Sequence, residues 1–251
     1  IRTVDLTQLS SLGLKKIKVF KKIKVGVFSS GDEICLGSVK KKYSIFDANK
    51  TVLINLLKRL GCEITDLGVI KDNYEHTKKK LDNNLSSFDV IITSGGVSKS
   101  KIDHIGNFFS ISGKLNFWQL ALKPGRPFAF GKLQNTPFIG LPGNPVAAVI
   151  TFLMLVVDYL KKLSGIEKNE IIERLVPSNF VMKKKKGRTE WLRGSIKIIN
   201  NNYFLEKYHT SGSGIISSIS NTDGIIEINE DVKYIKKGSI LKFYRYEDIL
   251  N

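Results

Sequence analysis

Three short stretches set glycine beside groups that could hold an anion: Ser29-Ser30-Gly31-Asp32-Glu33, Thr93-Ser94-Gly95-Gly96-Val97-Ser98 and Gly140-Leu141-Pro142-Gly143-Asn144-Pro145-Val146. Glycine lets the backbone approach a phosphate closely, and the N–H groups and dipole of a following helix stabilise its charge. A glycine turn also serves packing in many folds, so each loop alone says little. Glu33 lies in the first loop, Asp72 follows an apolar run ending at Ile70, and Asp103 follows the second loop. Such carboxylates suit Mg²⁺ bridging phosphate oxygens, or general-base work. Asp32 and Asp47 read on position as helix caps. In Leu122-Lys123-Pro124-Gly125-Arg126-Pro127, two prolines and a glycine hold Lys123 and Arg126 in a stiff extended loop, a preorganised anion site.

The elements behind these loops follow from periodicity. From Ile23 to about Gly165, short apolar runs alternate with amphipathic segments, the pattern of βαβ units around a parallel sheet. Strands are expected at Ile23–Phe28, Cys62–Leu67, Val90–Thr93 and Phe138–Gly140. Helices are expected over Asp47–Leu60, stopped by Gly61, over Tyr74–Asn84, and from Pro145 to about Leu163. The last is apolar nearly all round and reads as a core helix. In a parallel α/β sheet the strand-to-helix loops open on one edge, so the three glycine loops should converge. After Ser164-Gly165 the pattern becomes short alternating segments: Ile171–Leu175, Glu190–Ile199, Tyr203–Tyr208, Gly224–Ile228 and Ser239–Tyr244. The expected organisation is a remnant or linker of a missing N-terminal region over 1–22, an α/β domain over 23–166, and a small β domain over 177–251.

Composition narrows the function classes. With 42% hydrophobic and 25% charged residues in 251, the chain is an ordinary folded protein. Its net charge of +17 invites a nucleic-acid partner, but only 7 of the 40 basic residues are Arg and the lysines are scattered, so no nucleic-acid function is assigned. Cys35 and Cys62 form neither a disulfide framework nor a zinc motif, which suits a cytoplasmic location. The apolar window Val146–Val157 falls short of the roughly 20 residues that span a bilayer, so no membrane association is expected. Residues 1–14 lack the ordered regions of a signal peptide.

The four ordered motifs, Val27-Phe28-Ser29-Ser30-Gly31-Asp32-Glu33, Ser94-Gly95-Gly96-Val97-Ser98, Lys123-Pro124-Gly125-Arg126-Pro127-Phe128-Ala129-Phe130-Gly131 and Gly140-Leu141-Pro142-Gly143-Asn144-Pro145, resemble the bacterial molybdopterin molybdenumtransferases, the molybdenum insertases related to the gephyrin E domain. Gly187–Gly194 and Ser211–Gly214 extend the resemblance into the β region. It implies a molybdopterin-binding α/β domain followed by a small C-terminal β-barrel domain. It also implies a homodimer and a reaction joining molybdate to adenylylated molybdopterin, with Mg²⁺ and release of AMP. Molybdopterin adenylyltransferase would be the upstream partner. Carried over by position, Glu33, Asp72, Asp103 and Lys123 are catalytic, with Glu33 and Asp103 on the metal. Gly31, Asp32, Ser94, Gly95, Gly96, Ser98, Arg126, Pro142, Gly143, Asn144 and Pro145 bind the pterin compound. Lys123, Arg193 and Ser213 hold the oxyanion, a guanidinium and a hydroxyl being suited to tetrahedral molybdate.

The sequence departs from that family at two places. Gln119 stands where many members carry a second lysine, and Lys99-Ser100-Lys101 replaces a loop that usually holds a glycine and an acidic residue, making it more basic. Phe117 and Trp118 read as core rather than pterin stackers. Two other readings remain open on these residues: a molybdopterin adenylyltransferase, which lacks the C-terminal β domain, and a non-catalytic molybdopterin-binding or scaffold module.

Overall fold

Helix α1 (Thr3–Ser11) buries no residue. In strand β1 (Lys24–Ser30) every position after Lys24 is buried. A strand covered on both faces needs a continuous apolar run rather than alternation, and Val25-Gly26-Val27-Phe28 supplies it. The structure, a computed structural model, describes residues 1, 3–35, 42–71, 74–82, 85–96, 113–166, 171–210, 212 and 214–251.

Strands β2 (Ile34–Cys35) and β3 (Ile45–Phe46) form a short parallel pair ahead of helix α2 (Ala48–Arg59). Both ends of α2 are set locally. Asp47 Oδ1 accepts from Lys50 N–H at 3.0 Å, and at the other end Gly61 N–H donates to Lys58 O at 3.0 Å while Cys62 N–H donates to Leu57 O at 3.1 Å. That paired closure needs a left-handed residue, and Gly61 has φ +76°. Strand β4 (Glu63–Ile70), helix α3 (Tyr74–Asp82) and strand β5 (Val90–Ser94) follow as the periodicity predicts. Strands β6 (Gly113–Gln119), β7 (Leu122–Lys123) and β8 (Pro127–Leu133) do not appear in the sequence reading; β9 (Thr136–Leu141) does.

The main sheet has the order β4-β1-β5-β9-β8-β6. The first four strands are parallel, and β8 and β6 extend the sheet antiparallel. The chain steps from β1 outward to β4 and then back past β1 to β5, so the strand order reverses between β1 and β5. Ligands of open α/β sheets bind outside the carboxyl ends of strands at such a reversal. Helix α4 (Pro145–Thr151) passes through a π turn (Phe152–Val156) into α5 (Val157–Leu163), with Pro145 in its first turn. Val146 to Leu153, Val156, Val157 and Leu160 are buried, confirming a core helix.

The C-terminal part comprises β10 (Arg174–Pro177), β11 (Met182–Lys183), β12 (Thr189–Ile199), β13 (Asn202–Lys207), α6 (Ser217–Ser220), β14 (Gly224–Ile228), β15 (Tyr234–Ile235), β16 (Ile240–Arg245) and α7 (Tyr246–Leu250). Its sheet has the order β10-β16-β14-β12-β13. Ser178, just past β10, bridges to Leu205 in β13, and Asn179 N–H donates to Leu205 O at 2.8 Å. The two edges therefore meet, which occupies backbone groups that an open edge would leave exposed. Val176, Leu192, Leu205, Ile226 and Phe243 fill the interior. A second core joins the two parts: Trp191, Ile225, Tyr244, Ile249 and Leu250 pack with Val146, Val149, Phe152 and Leu160. No helix among the described residues is long and apolar enough to cross a membrane.

Candidate functional site

The three glycine loops leave β1, β5 and β9 at the same end of the sheet, where Ser29 pairs with Ser94 and Ser94 with Leu141. They touch. Gly95 has φ +89°, and a Cβ there would strike the carbonyl oxygen of Ser30 in the first loop. A Cβ on Gly143 would lie 3.6 Å from Gly95 Cα, so the third loop rests on the second. Asn49, buried near the start of α2, donates Nδ2 to Ser94 Oγ at 2.6 Å and to Gly143 O at 2.8 Å, and Ser94 Oγ donates to Pro142 O at 3.2 Å. Ser29 Oγ, Thr93 Oγ1, Asn49 Oδ1 and Asn144 Oδ1 are buried without a hydrogen-bond partner. Each such atom costs about 1–3 kcal/mol when left unsatisfied, so this edge favours a polar ligand or ordered water.

Beside the third loop lies a cavity of about 340 Å³ between the two parts of the chain. Pro142, Gly143 and Asn144 form one wall, the segment from Leu122 to Pro127 a second, and β12 with Lys207, Tyr208 and Thr210 a third. The placement of Lys123 depends on strand pairing across the two parts. β7 runs parallel to β12 with Lys123 opposite Glu190, and Thr189 N–H donates to Ala121 O at 3.0 Å. Gly125, at φ +105°, presses against the Thr151 hydroxyl so closely that no side chain fits, which seats the loop on α4. Lys123 Nζ then lies 3.3 Å from Glu190 Oε2, and Arg188 Nε lies 3.4 Å from Glu190 Oε1. Arg126, exposed, donates to Gln119 Oε1 at 3.4 Å, a bond that a lysine at 119 could not accept.

Arg193 is only 4% exposed. Its Nε donates to Ser218 Oγ at 3.0 Å, and its Nη2 to Gly212 O at 3.2 Å and Thr210 O at 3.5 Å. Burial lowers its pKa, and the neighbouring Tyr246 is pushed up to about 12, chiefly by burial. Arg193 thus ties down the loop around Gly212. A Cβ on Gly214 would lie 3.9 Å from Asn144 Nδ2, so that loop faces the third glycine loop.

The cavity brings together Lys123, Arg126, Pro142, Gly143, Asn144 and Arg193 of the residues named from sequence. Gly31, Ser94 and Gly95 belong to the touching loops, Gly96 follows at φ +66°, and Pro145 opens α4. Asp32 and Glu33 are exposed after β1, the Glu33 carboxylate folding back over Gly31. Asp72, Ser98, Asp103 and Ser213, with Lys99, Ser100 and Lys101, lie outside the described residues, as do the side chains of Phe117 and Trp118. Among the described residues no group of three His, Cys, Asp or Glu gathers as a metal site. Asn49, Arg188, Glu190 and Tyr208 carry no assignment from sequence. Alternating charge in Arg188-Thr189-Glu190 could have drawn attention, but nothing local says that the carboxylate faces Lys123.

Residues 26–162 match the family model "Probable molybdopterin binding domain". The chain belongs to this molybdopterin-binding family. Residues 176–246 match "MoeA C-terminal region (domain IV)". The molybdopterin molybdenumtransferase of Haemophilus influenzae is 34% identical over 252 residues, covering 98% of this chain and 62% of that protein. The enzyme of the same name from Nostoc sp. is 27% identical, covering 92% of this chain and 55% of its own length. The crystal structure of the molybdopterin biosynthesis MoeA protein from Pyrococcus horikosii superposes with a TM-score of 0.83 at 28% identity, over 98% of this chain and 60% of that one. This chain therefore spans about six-tenths of the length of such relatives.

Proposed function

We propose that this chain carries the ligand-binding part of a molybdopterin molybdenumtransferase, which joins molybdate to adenylylated molybdopterin and releases AMP. The observation that supports this most is the meeting of two sites: glycine loops with unsatisfied buried polar atoms at the strand-order reversal, and a cation-bearing cavity sharing the Pro142–Asn144 wall. The glycine loops suit the phosphate and pterin, and the cavity suits a tetrahedral oxyanion held by Lys123, Arg193 and Ser213. Mg²⁺, if bound, neutralises phosphate charge as AMP leaves; a hard cation needs only one or two carboxylates besides phosphate oxygens. Exposed Glu33 fits that requirement, and Asp103 is the second ligand of this reading, with Asp72 a further acidic group. The working unit in this reading is a cytoplasmic homodimer supplied by molybdopterin adenylyltransferase.

The test is calorimetric titration of the chain with adenylylated molybdopterin and then molybdate, followed by AMP release in a longer version extended to the full length of its relatives. Saturable binding of both is expected, with AMP release lost in Asp103→Asn while binding persists. Normal AMP release in that variant would remove Asp103 from the chemistry. A chain that binds neither compound would overturn the whole reading.

A further inference from the structure

Glu190 is 1% exposed, among the most deeply buried charged groups of the described residues, and it sits in the wall of the cation-bearing cavity. Its two oxygens are divided. Oε2 faces Lys123 Nζ at 3.3 Å and Oε1 faces Arg188 Nε at 3.4 Å, while the two cationic side chains remain 43% and 40% exposed. A lone ionised carboxylate in a dry interior is costly, and two cations that keep contact with the cavity offset that cost without being removed from use. Backbone pairing of β7 with β12 sets Glu190 opposite Lys123.

We propose that Glu190 is a positioning residue: it holds Lys123 and Arg188 as a two-cation clamp whose free faces receive the oxyanion, making Arg188 a further specificity-determining contact. Lysine and arginine are rotamer-rich, and ordering them before the anion arrives removes a cost that binding would otherwise carry. Between two like charges the carboxylate also cancels the repulsion that would drive them apart in the empty cavity. The inference rests on the reading of this cavity as the oxyanion site.

Two effects of the carboxylate oppose each other, and their sign decides the matter. If Glu190 served only as counter-charge, Glu190→Gln would raise the positive field and tighten anion binding. If it positions the cations, the same change weakens binding. Molybdate is titrated into the chain by calorimetry at fixed ionic strength, and turnover is followed in the longer protein. Glu190→Gln is expected to bind molybdate at least fivefold more weakly and to raise KM more than it lowers kcat. Glu190→Asp, which keeps the charge, is expected to recover affinity to within about twofold of the parent. Equal or tighter binding by Glu190→Gln, or no recovery in Glu190→Asp, overturns the clamp. Should circular dichroism show Glu190→Gln unfolded, Arg188→Gln carries the test, since it leaves the carboxylate and Lys123 in place. A threefold or greater loss is expected there, and parental affinity overturns the proposal. Absence of molybdate binding by the parent chain would instead refute the oxyanion-site reading beneath it.

Discussion

Replacing Gly95 by alanine tests the contact between the first two glycine loops. The backbone at Gly95 has φ +89°, so any L side chain carries left-handed strain of roughly 1–2 kcal/mol. The added Cβ also meets a backbone carbonyl, that of Ser30, which cannot rotate away as a side chain would. Overpacking of this kind costs typically about 1–3 kcal/mol, so the total loss is about 2–5 kcal/mol. For a chain of this size about 1 kcal/mol moves Tm by roughly 2–4 °C, giving a fall of roughly 4–20 °C. Two controls separate the contributions. Gly61 has φ +76° with nothing within 4 Å of a built Cβ, so Gly61→Ala carries the strain alone. Gly143→Ala places its Cβ at ordinary contact distance, 3.6 Å, and should cost less than about 1 kcal/mol. Calorimetric melting and molybdopterin titration of all three are the assays. Only Gly95→Ala should lose tenfold or more in affinity, because only there must two loops of the ligand edge part. Equal melting for Gly95→Ala and Gly61→Ala, with binding unchanged in both, would refute the reasoning.

Asn49→Ala removes two donated hydrogen bonds, at 2.6 Å and 2.8 Å, from a buried position. Chemical denaturation should show about 1–3 kcal/mol lost at an unchanged m-value, with weaker molybdopterin binding because the second and third loops are no longer tied together. Burial pushes the Cys62 thiol from 9.0 up to about 11. Below pH 9 it is protonated folded and unfolded alike; between about 9 and 11 the unfolded chain alone releases the proton, so stability should fall across that window. Iodoacetamide labelling of Cys62, followed by mass spectrometry, should accelerate with pH without levelling off before about pH 11; a plateau near 9 would show an ordinary exposed thiol.

Features set by neighbours in sequence were legible from the residues alone. Asp47 caps α2 three residues away from the N–H it accepts, Gly61 ends the helix within one turn, and Pro145 opens another, each a matter of local backbone chemistry. The convergence of the three glycine loops was likewise readable, because parallel strands turn at the same edge whatever their order. The hairpin of β6 and β8 was not: Lys123-Pro124-Gly125-Arg126-Pro127 reads as loop, and the strands beside it are selected by pairing, β8 with β9 and β6 with β8, not by their own pattern. The same holds for the charges. Arg193 read as an oxyanion ligand, yet its Nε and Nη2 also donate to Ser218 and to the carbonyls of Thr210 and Gly212. Glu190 read as one more strand residue, although it faces a lysine 67 positions earlier. Sequence determines what each residue can donate, accept or pack against; which of those capacities remains open to a ligand is decided by the pairing of β7 with β12 and by the core that the two parts share, because only there do distant groups come close enough to satisfy one another.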